Sequence, residues 1–266
     1  MNYWAKRQAK IQEQLTLQSQ RKIERQMIKY YQTAAKKVID EFERVYDKIK
    51  LQQMLDKPIT PAHLYQLDTY WSAQAQLRHE LQKLGEKQVA LLTKEFERNF
   101  FEVYYSIAPE GLKAFNTIDS AGARQLINAI WLADGKTFSQ RVWGNVEILT
   151  ETLNENFINI VATGKTTREL KNILQERFGV SYSRANTLVR TELSHVHTVA
   201  AKQRYEDYGL KEYEILGNDD DSCGNEETNC HKLDGKKFLY SEMVIGKNAP
   251  PFHPNCKCSI IPVVEI

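Results

Sequence analysis

The feature that most limits the fold is the near absence of helix-breaking residues from the first third of the chain. No glycine precedes Gly85, and the only earlier prolines are Pro58 and Pro61. Because glycine and proline interrupt helices most strongly, their absence allows very long helices. Apolar residues between positions 23 and 49 recur at steps of three and four, which is the spacing of one helix face. The sequence therefore predicts one long helix before Pro58 and a second from Pro61 to about residue 106, bent near Gly85.

Shorter elements are predicted after this region. Helices are expected at about 119–133 and 137–161, and then at 166–178 and 181–208, with Gly179 between the last two. Beyond Gly209, short β-prone runs lie between turns, at 213–216, 237–240 and 259–261. The predicted fold class is mainly α with a small C-terminal α+β module that carries cysteine and histidine. Along the chain we predict a long helical arm or hairpin over 1–108, a helical connector over 109–162 and a C-terminal domain over 163–266.

Charge is unevenly spread, although the formal net charge is only +2. Residues 1–40 carry nine Lys and Arg against three acidic residues, whereas residues 211–234 carry two basic residues against eight acidic ones. Such asymmetry suggests two surfaces with different partners, and two solvated faces are the alternative. Basic side chains along an exposed helix can neutralise DNA phosphates without reading sequence, or can meet a protein partner, which we slightly favour. The candidate residues for DNA or partner binding are Lys6, Arg7, Lys10, Arg21, Lys22, Arg25, Lys29, Lys36 and Lys37.

No part of the sequence indicates a membrane or a secretion signal. No stretch approaches the roughly 18 to 20 apolar residues that span a bilayer. Residues 1–10 are polar and basic and lack the apolar centre of a secretory signal. We therefore expect synthesis in the cytosol and no membrane partner.

All four cysteines lie in the last part of the chain, together with His231 and His253. A tight Cys/His cluster in a cytosolic chain suggests a metal site more than disulfide staples. Zinc typically takes four thiolate or imidazole ligands, and His253 and Cys256 have a spacing common in ligand pairs. A structural zinc site is predicted, with reduced core cysteines or a Cys223–Cys230 disulfide as alternatives. The candidate metal ligands are Cys223, Cys230, His253, Cys256 and Cys258.

No catalytic constellation is specific enough to predict an enzyme. The Gly164-Lys165-Thr166 run lacks the earlier glycine of a phosphate-binding loop, since residue 159 is asparagine. In the last long helix, Arg190 and Glu192 are expected to be structural residues that anchor the helix to the β-rich module, with Arg190 paired to a carboxylate. We therefore predict no catalytic residues.

An ordered series of short motifs between residues 163 and 264 resembles the phage head morphogenesis family, the minor head proteins typified by protein F of phage Mu. The final motif, Pro251-x-His253-Pro254-Asn255-Cys256-Lys257-Cys258, is the most specific. Two departures are a wider first cysteine spacing and Lys257 where the family usually has arginine. The preceding motifs are Gly164 with Thr166, Thr167 and Glu169, then 178–181, 184–185, 190–192, Tyr205 with Gly209, Asp221 with Cys223, and 230–236.

The resemblance implies a non-enzymatic component of a bacteriophage virion. Such proteins occur in few copies inside the head, near the portal, after assembly in the host cytoplasm, and some are linked to DNA. The implied partners are the portal protein, a scaffolding or major capsid protein, and double-stranded DNA. A zinc-dependent nuclease or toxin-like enzyme is the alternative, because related modules can be fused to toxin domains.

Overall fold

The computed structural model describes residues 3–55, 60–107, 117–217 and 229–263, although the side chains of some residues in these ranges are not described. The chain is mainly α-helical, as predicted. The helices are α1 (Tyr3–Leu55), α2 (Pro61–Leu64), α3 (Asp68–Ser106), α4 (Ser120–Ile127), α5 (Phe138–Thr163), α6 (Thr167–Asp207) and α7 (Asn229–Leu233). No helix among the described residues is both long and apolar enough to cross a membrane.

Local side chains cap the starts of two helices. The backbone N–H of His63 donates to Thr60 Oγ1 at 3.3 Å, and Pro61 occupies the first turn of α2. At the start of α6, the backbone N–H of Glu169 donates to Thr166 Oγ1 at 3.2 Å. The backbone N–H of Thr166 in turn donates to Glu169 Oε2 at 2.8 Å. Each pair satisfies backbone donors that a helix start leaves free.

Gly179 does not interrupt the last long helix, so the prediction of two helices at 166–178 and 181–208 is wrong. α6 runs without a break from Thr167 to Asp207. Its buried stripe continues across the glycine, with Phe178 before it and Ala185 and Val189 after it. Burial of this stripe outweighs the roughly 1 kcal/mol that glycine costs inside a helix.

The chain folds into two compact units. The helical unit comprises residues 25–90 and 141–185, and the mixed unit comprises 1–24, 91–140 and 186–266. In the helical unit, Phe42 and Phe157 pack with ring centroids 4.3 Å apart, and Tyr70 stacks near Phe157. The three segments predicted from chain order (1–108, 109–162 and 163–266) remain a prediction.

The mixed unit contains an antiparallel sheet of three strands in the order β2-β1-β3. The strands are β1 (Glu212–Leu216), β2 (Lys237–Leu239) and β3 (Ser259–Pro262), which confirms the three β-prone runs. Tyr213 and Ile215 of the central strand are buried while Glu212 is exposed, the alternation of a half-buried strand. The ring centroids of Tyr213 and Tyr240 are 5.1 Å apart, so aromatic side chains pack against the sheet.

Candidate metal centre

α7 brings Cys230 to the end of the central strand. The N–H of Gly217 donates to Asp234 Oδ1 at 2.7 Å, and the N–H of Gly235 donates to the carbonyl of Ile215 at 2.8 Å. These bonds hold the turn after α7 against β1. Cys230 is 1% exposed in this position.

A tight turn supplies the next two candidate ligands. The N–H of Cys256 donates to the carbonyl of His253 at 3.2 Å, and Asn255 adopts a positive φ of 61°. Proline at the second position and a left-handed residue at the third are typical of a type II turn. The turn therefore brings the side chains of His253 and Cys256 together, as their spacing in the sequence predicts.

The turn is also tied to α6. The backbone N–H of Asn255 donates to Thr191 Oγ1 at 3.2 Å, and the Thr191 hydroxyl itself donates to the carbonyl of Thr187 at 2.7 Å. Thr191 is therefore held in the orientation that accepts this bond. The sequence predicted structural roles for Arg190 and Glu192 in this part of α6, but not the anchoring role of Thr191.

The three side chains have distances suited to a metal ion. The ligand atoms of Cys230, His253 and Cys256 all lie within 4.8 Å of one another. The two sulfurs are 3.9 Å apart. Tetrahedral zinc with Zn–S bonds of about 2.3 Å places two thiolate sulfurs about 3.8 Å apart. The sulfur pair therefore needs almost no movement to bind zinc.

His253 presents the correct nitrogen to this cluster. Its Nδ1 lies 2.8 Å from the carbonyl oxygen of Pro254, so Nδ1 carries the proton and donates. Nε2 is then left with a free lone pair, and it is buried without a hydrogen-bond partner among the described residues. A buried nitrogen without a partner is costly, whereas a metal-bound imidazole commonly donates its other N–H to a carbonyl. The donor set fits a metal.

Cys258 adds a third thiol to the same small core, in which Phe252 packs against the three cysteines. Hydrogen bonds with the Cys230 and Cys258 thiols lower the pKa of Cys256. Contact with the other two thiols, together with burial, raises the pKa of Cys258. Ionisation of Cys256 therefore opposes ionisation of Cys258, and a divalent metal would allow both thiols to ionise.

Four of the five predicted metal ligands lie within the described residues. The structure brings together Cys230, His253 and Cys256, with Cys258 beside them. Cys223 lies outside the described residues. No disulfide joins the described cysteines, Cys230, Cys256 and Cys258.

The basic residues predicted to bind DNA or a partner fall into different environments. Lys22 pairs with Glu95 at 2.8 Å, and Lys37 pairs with Glu80 at 3.0 Å, and both glutamates are almost fully buried. These two lysines compensate buried carboxylates. The side chains of Lys6 and Arg7 lie outside the described residues. The remaining candidates are exposed on α1, namely Lys10, Arg21, Arg25, Lys29 and Lys36.

The polar pair predicted to be structural occupies the middle of α6. Glu192 is 1% exposed and accepts a hydrogen bond from Trp131 Nε1 at 3.2 Å. The Trp131 ring stacks on His195, with centroids 4.8 Å apart and an interplanar angle of 9°. Arg190 is half-buried. Trp131 was not predicted from the sequence, because its contact to Glu192 spans 61 residues.

Comparison with known proteins agrees with the motif series. Residues 151–261 match the family described as Phage Mu protein F like protein. The matched segment includes α6, most of the sheet, His253 and all four cysteines. No curated protein and no solved structure matches the chain.

Proposed function

We propose that the chain is a minor head protein of a tailed bacteriophage, built into the virion during head morphogenesis, because residues 151–261 match the family described as Phage Mu protein F like protein. The family match carries this proposal. The test is genetic. A nonsense mutation in the gene should yield few infectious particles, and the chain should be found in purified wild-type heads by mass spectrometry. Normal particle yield, together with absence of the chain from heads, would contradict the proposal.

In this role the Cys/His cluster is a structural metal site that stabilises the fold of the mixed unit. Cys230, His253 and Cys256 are the first three ligands, and Cys258 is the fourth. A zinc ion bound there would cross-link α7, the turn at 253–256 and the start of β3. Four protein ligands leave no open coordination position, which is typical of structural zinc sites and not of catalytic ones.

The portal protein is the proposed partner, with scaffolding or major capsid protein as further candidates. The chain would then lie inside the head near the portal after assembly in the host cytoplasm. The test is co-expression with the portal protein of the same phage, followed by affinity purification at low and high salt. Retention at high salt would support a protein interface, because phosphate-mediated contacts through DNA weaken steeply with salt. Loss of the chain at both salt concentrations would contradict a portal role.

A second proposed contact is with packaged DNA through the exposed basic residues of α1. Lys10 and Arg21 are exposed in the mixed unit, whereas Lys22 is already paired with Glu95. A double substitution, Lys10→Glu with Arg21→Glu, should therefore weaken duplex binding and flatten its salt dependence. Lys94→Glu with Lys136→Glu, which makes the same change in charge at two exposed lysines of the mixed unit outside α1, is the matched control and should affect DNA binding less.

The enzyme alternative makes a different prediction. Under the structural proposal, purified chain incubated with duplex DNA and zinc, magnesium or manganese should leave the DNA intact. Metal-dependent cleavage that disappears in Cys256→Ala would replace the structural proposal with a nuclease.

A further inference from the structure

A charged stripe runs along the part of α1 that belongs to the helical unit. It consists of Lys29, Lys36, Asp40 and Asp47, and all four side chains are exposed. Their spacings of seven, four and seven residues place them within an arc of about 40° on a helix with 3.6 residues per turn. The stripe is therefore basic in its first half and acidic in its second.

An apolar groove lies beside this stripe, between α1 and α6. Its volume is about 500 Å³, and Lys36 and Asp40, the two central residues of the stripe, line it. The groove is entirely within the helical unit. Its walls are formed by Tyr31, Ala35 and Ile39 of α1 and by Phe178, Gly179 and Tyr182 of α6.

The groove is open to an incoming helix. Ile28, which lines it, is 40% exposed, and Val180 next to Gly179 is 42% exposed. A Cβ atom added at Gly179 would meet no atom within 4 Å. An exposed apolar groove rimmed by charged side chains is typical of a protein–protein contact site.

We propose that the groove binds α1 of a second copy of this chain, antiparallel, across a twofold axis that lies level with residue 38 on the exposed side of the helix. An axis at residue 38 places Lys36 opposite Asp40 of the partner subunit and Lys29 opposite Asp47 of the partner subunit. Twofold symmetry forms each contact twice. The charge pattern thus complements itself at four positions in a single register.

The same pattern disfavours the other arrangements. A parallel, in-register pair would set each charge against its own copy, which is repulsive. Duplex DNA would meet Asp40 and Asp47 as well as the lysines. An antiparallel second copy is the arrangement that pairs both halves of the stripe.

The stripe is also available for such a contact. Within the part of the chain that the structure describes, Lys29, Lys36 and Asp40 form no ion pair. Asp47 accepts a hydrogen bond from the Thr167 hydroxyl at 3.2 Å through Oδ1, which orients the carboxylate and leaves Oδ2 for another donor. By contrast, Lys37 on the neighbouring face already pairs with Glu80.

The test uses two charge-reversed forms of the full chain. One carries Lys29→Glu with Lys36→Glu, and the other carries Asp40→Lys with Asp47→Lys. Each form alone sets like charges against each other, so its dimer dissociation constant should rise at least about tenfold. An equimolar mixture sets an all-acidic stripe against an all-basic one and should restore the dimer. Lys48→Glu with Lys94→Glu, at two exposed lysines off the stripe, is the control.

The measurement is molar mass by sedimentation or light scattering, with circular dichroism to check folding. The wild type should form a species of twice the 30.9 kDa chain mass, and each variant should be mainly monomeric. A wild type that stays monomeric up to about 100 µM, in the range of weak association, would overturn the proposal. So would variants that remain dimeric alone or stay monomeric when mixed. The inference is independent of a role in phage heads.

Discussion

Asn99 holds the buried side chain of His197 in one tautomer. The Asn99 amide nitrogen donates to the carbonyl of Glu95 at 2.6 Å, so its oxygen, 3.4 Å from His197 Nε2, must accept. Nε2 therefore carries the proton, and Nδ1 accepts from the Thr16 hydroxyl at 2.9 Å. One neutral imidazole thus joins α1, α3 and α6 inside the mixed unit, and both of its nitrogens are used in this arrangement.

The first prediction concerns acid stability. Burial lowers the pKa of His197 to about 4, while an unfolded histidine titrates near 6.5. Between these values the unfolded chain binds a proton that the folded chain does not, so stability falls as the pH falls from about 6.5 to about 4. The loss should be on the order of 3 kcal/mol, since one pKa unit is worth about 1.4 kcal/mol. Stability from this group should not change above pH 7.

Urea unfolding at several pH values measures this effect. His197→Gln keeps a neutral polar side chain without a titrating group. The variant should be less stable than wild type at pH 7.5 but should lose less stability on acidification. Equal losses in the two proteins between pH 6.5 and 4.5 would show that His197 does not titrate as its burial requires.

The second prediction concerns the fourth metal ligand. Cys258 is 5% exposed and packs with Cys230 and Cys256. We expect about one zinc per chain, a large loss of zinc in Cys256→Ser, and a clear loss in Cys258→Ser. The control is Lys257→Ala, which changes the exposed residue between them and should retain metal.

Elemental analysis of purified chain and the absorption of a cobalt-substituted form measure the ligand set. Thiolate–cobalt charge-transfer intensity should fall stepwise as cysteines are removed. Cys223→Ser is the decisive comparison, because it should keep its zinc if Cys258 is the fourth ligand. Zinc lost from Cys223→Ser but kept in Cys258→Ser would exchange the two assignments. Zinc far below one equivalent in wild type would rule out the site.

The third prediction concerns the turn that presents His253 and Cys256. Asn255 has a φ of 61°, a region that costs most residues about 1 to 2 kcal/mol and glycine almost nothing. Asn255→Ala should therefore speed zinc removal by a chelator and lower the melting temperature of the zinc-bound chain. Asn255→Gly, which tolerates this backbone conformation, should resemble wild type. If both variants behave alike, the backbone conformation at Asn255 does not control the site.

Local sequence signals predicted the elements whose cause is local. The 53-residue helix α1 follows from the absence of Gly and Pro, and the proximity of His253 and Cys256 follows from one Pro-Asn turn. Contacts between distant residues could not be predicted in this way. Cys230 reaches Cys256 only because the sheet and α7 hold it there, and the pairing of Lys22 with Glu95 needs two helices to pack.

Gly179 shows the limit of local rules most directly. A glycine after an apolar run usually ends a helix, yet here the flanking residues are buried on one face. Packing energy, which depends on the tertiary fold, decides the outcome there. Gly85 also lies inside a continuous helix, α3. The reason that this position holds a glycine is a close contact with Trp143.

The fourth prediction tests that reason. A Cβ atom at Gly85 of α3 would lie 2.5 Å from the Trp143 ring of α5, so Gly85→Ala must displace a bulky side chain. Overpacking of this kind costs about 1 to 3 kcal/mol, which exceeds the gain of up to about 1 kcal/mol in helix propensity. We expect a net loss of stability in thermal or urea unfolding.

Gly144 in α5 provides the matched control, because a Cβ atom there meets nothing within 4 Å. Gly144→Ala should raise stability by up to about 1 kcal/mol through helix propensity alone. Adding Trp143→Leu to Gly85→Ala should remove the clash, so the two substitutions should be less harmful together than the sum of their separate effects. Simple additivity, or a Gly85→Ala chain as stable as Gly144→Ala, would mean that Trp143 does not require a glycine at position 85.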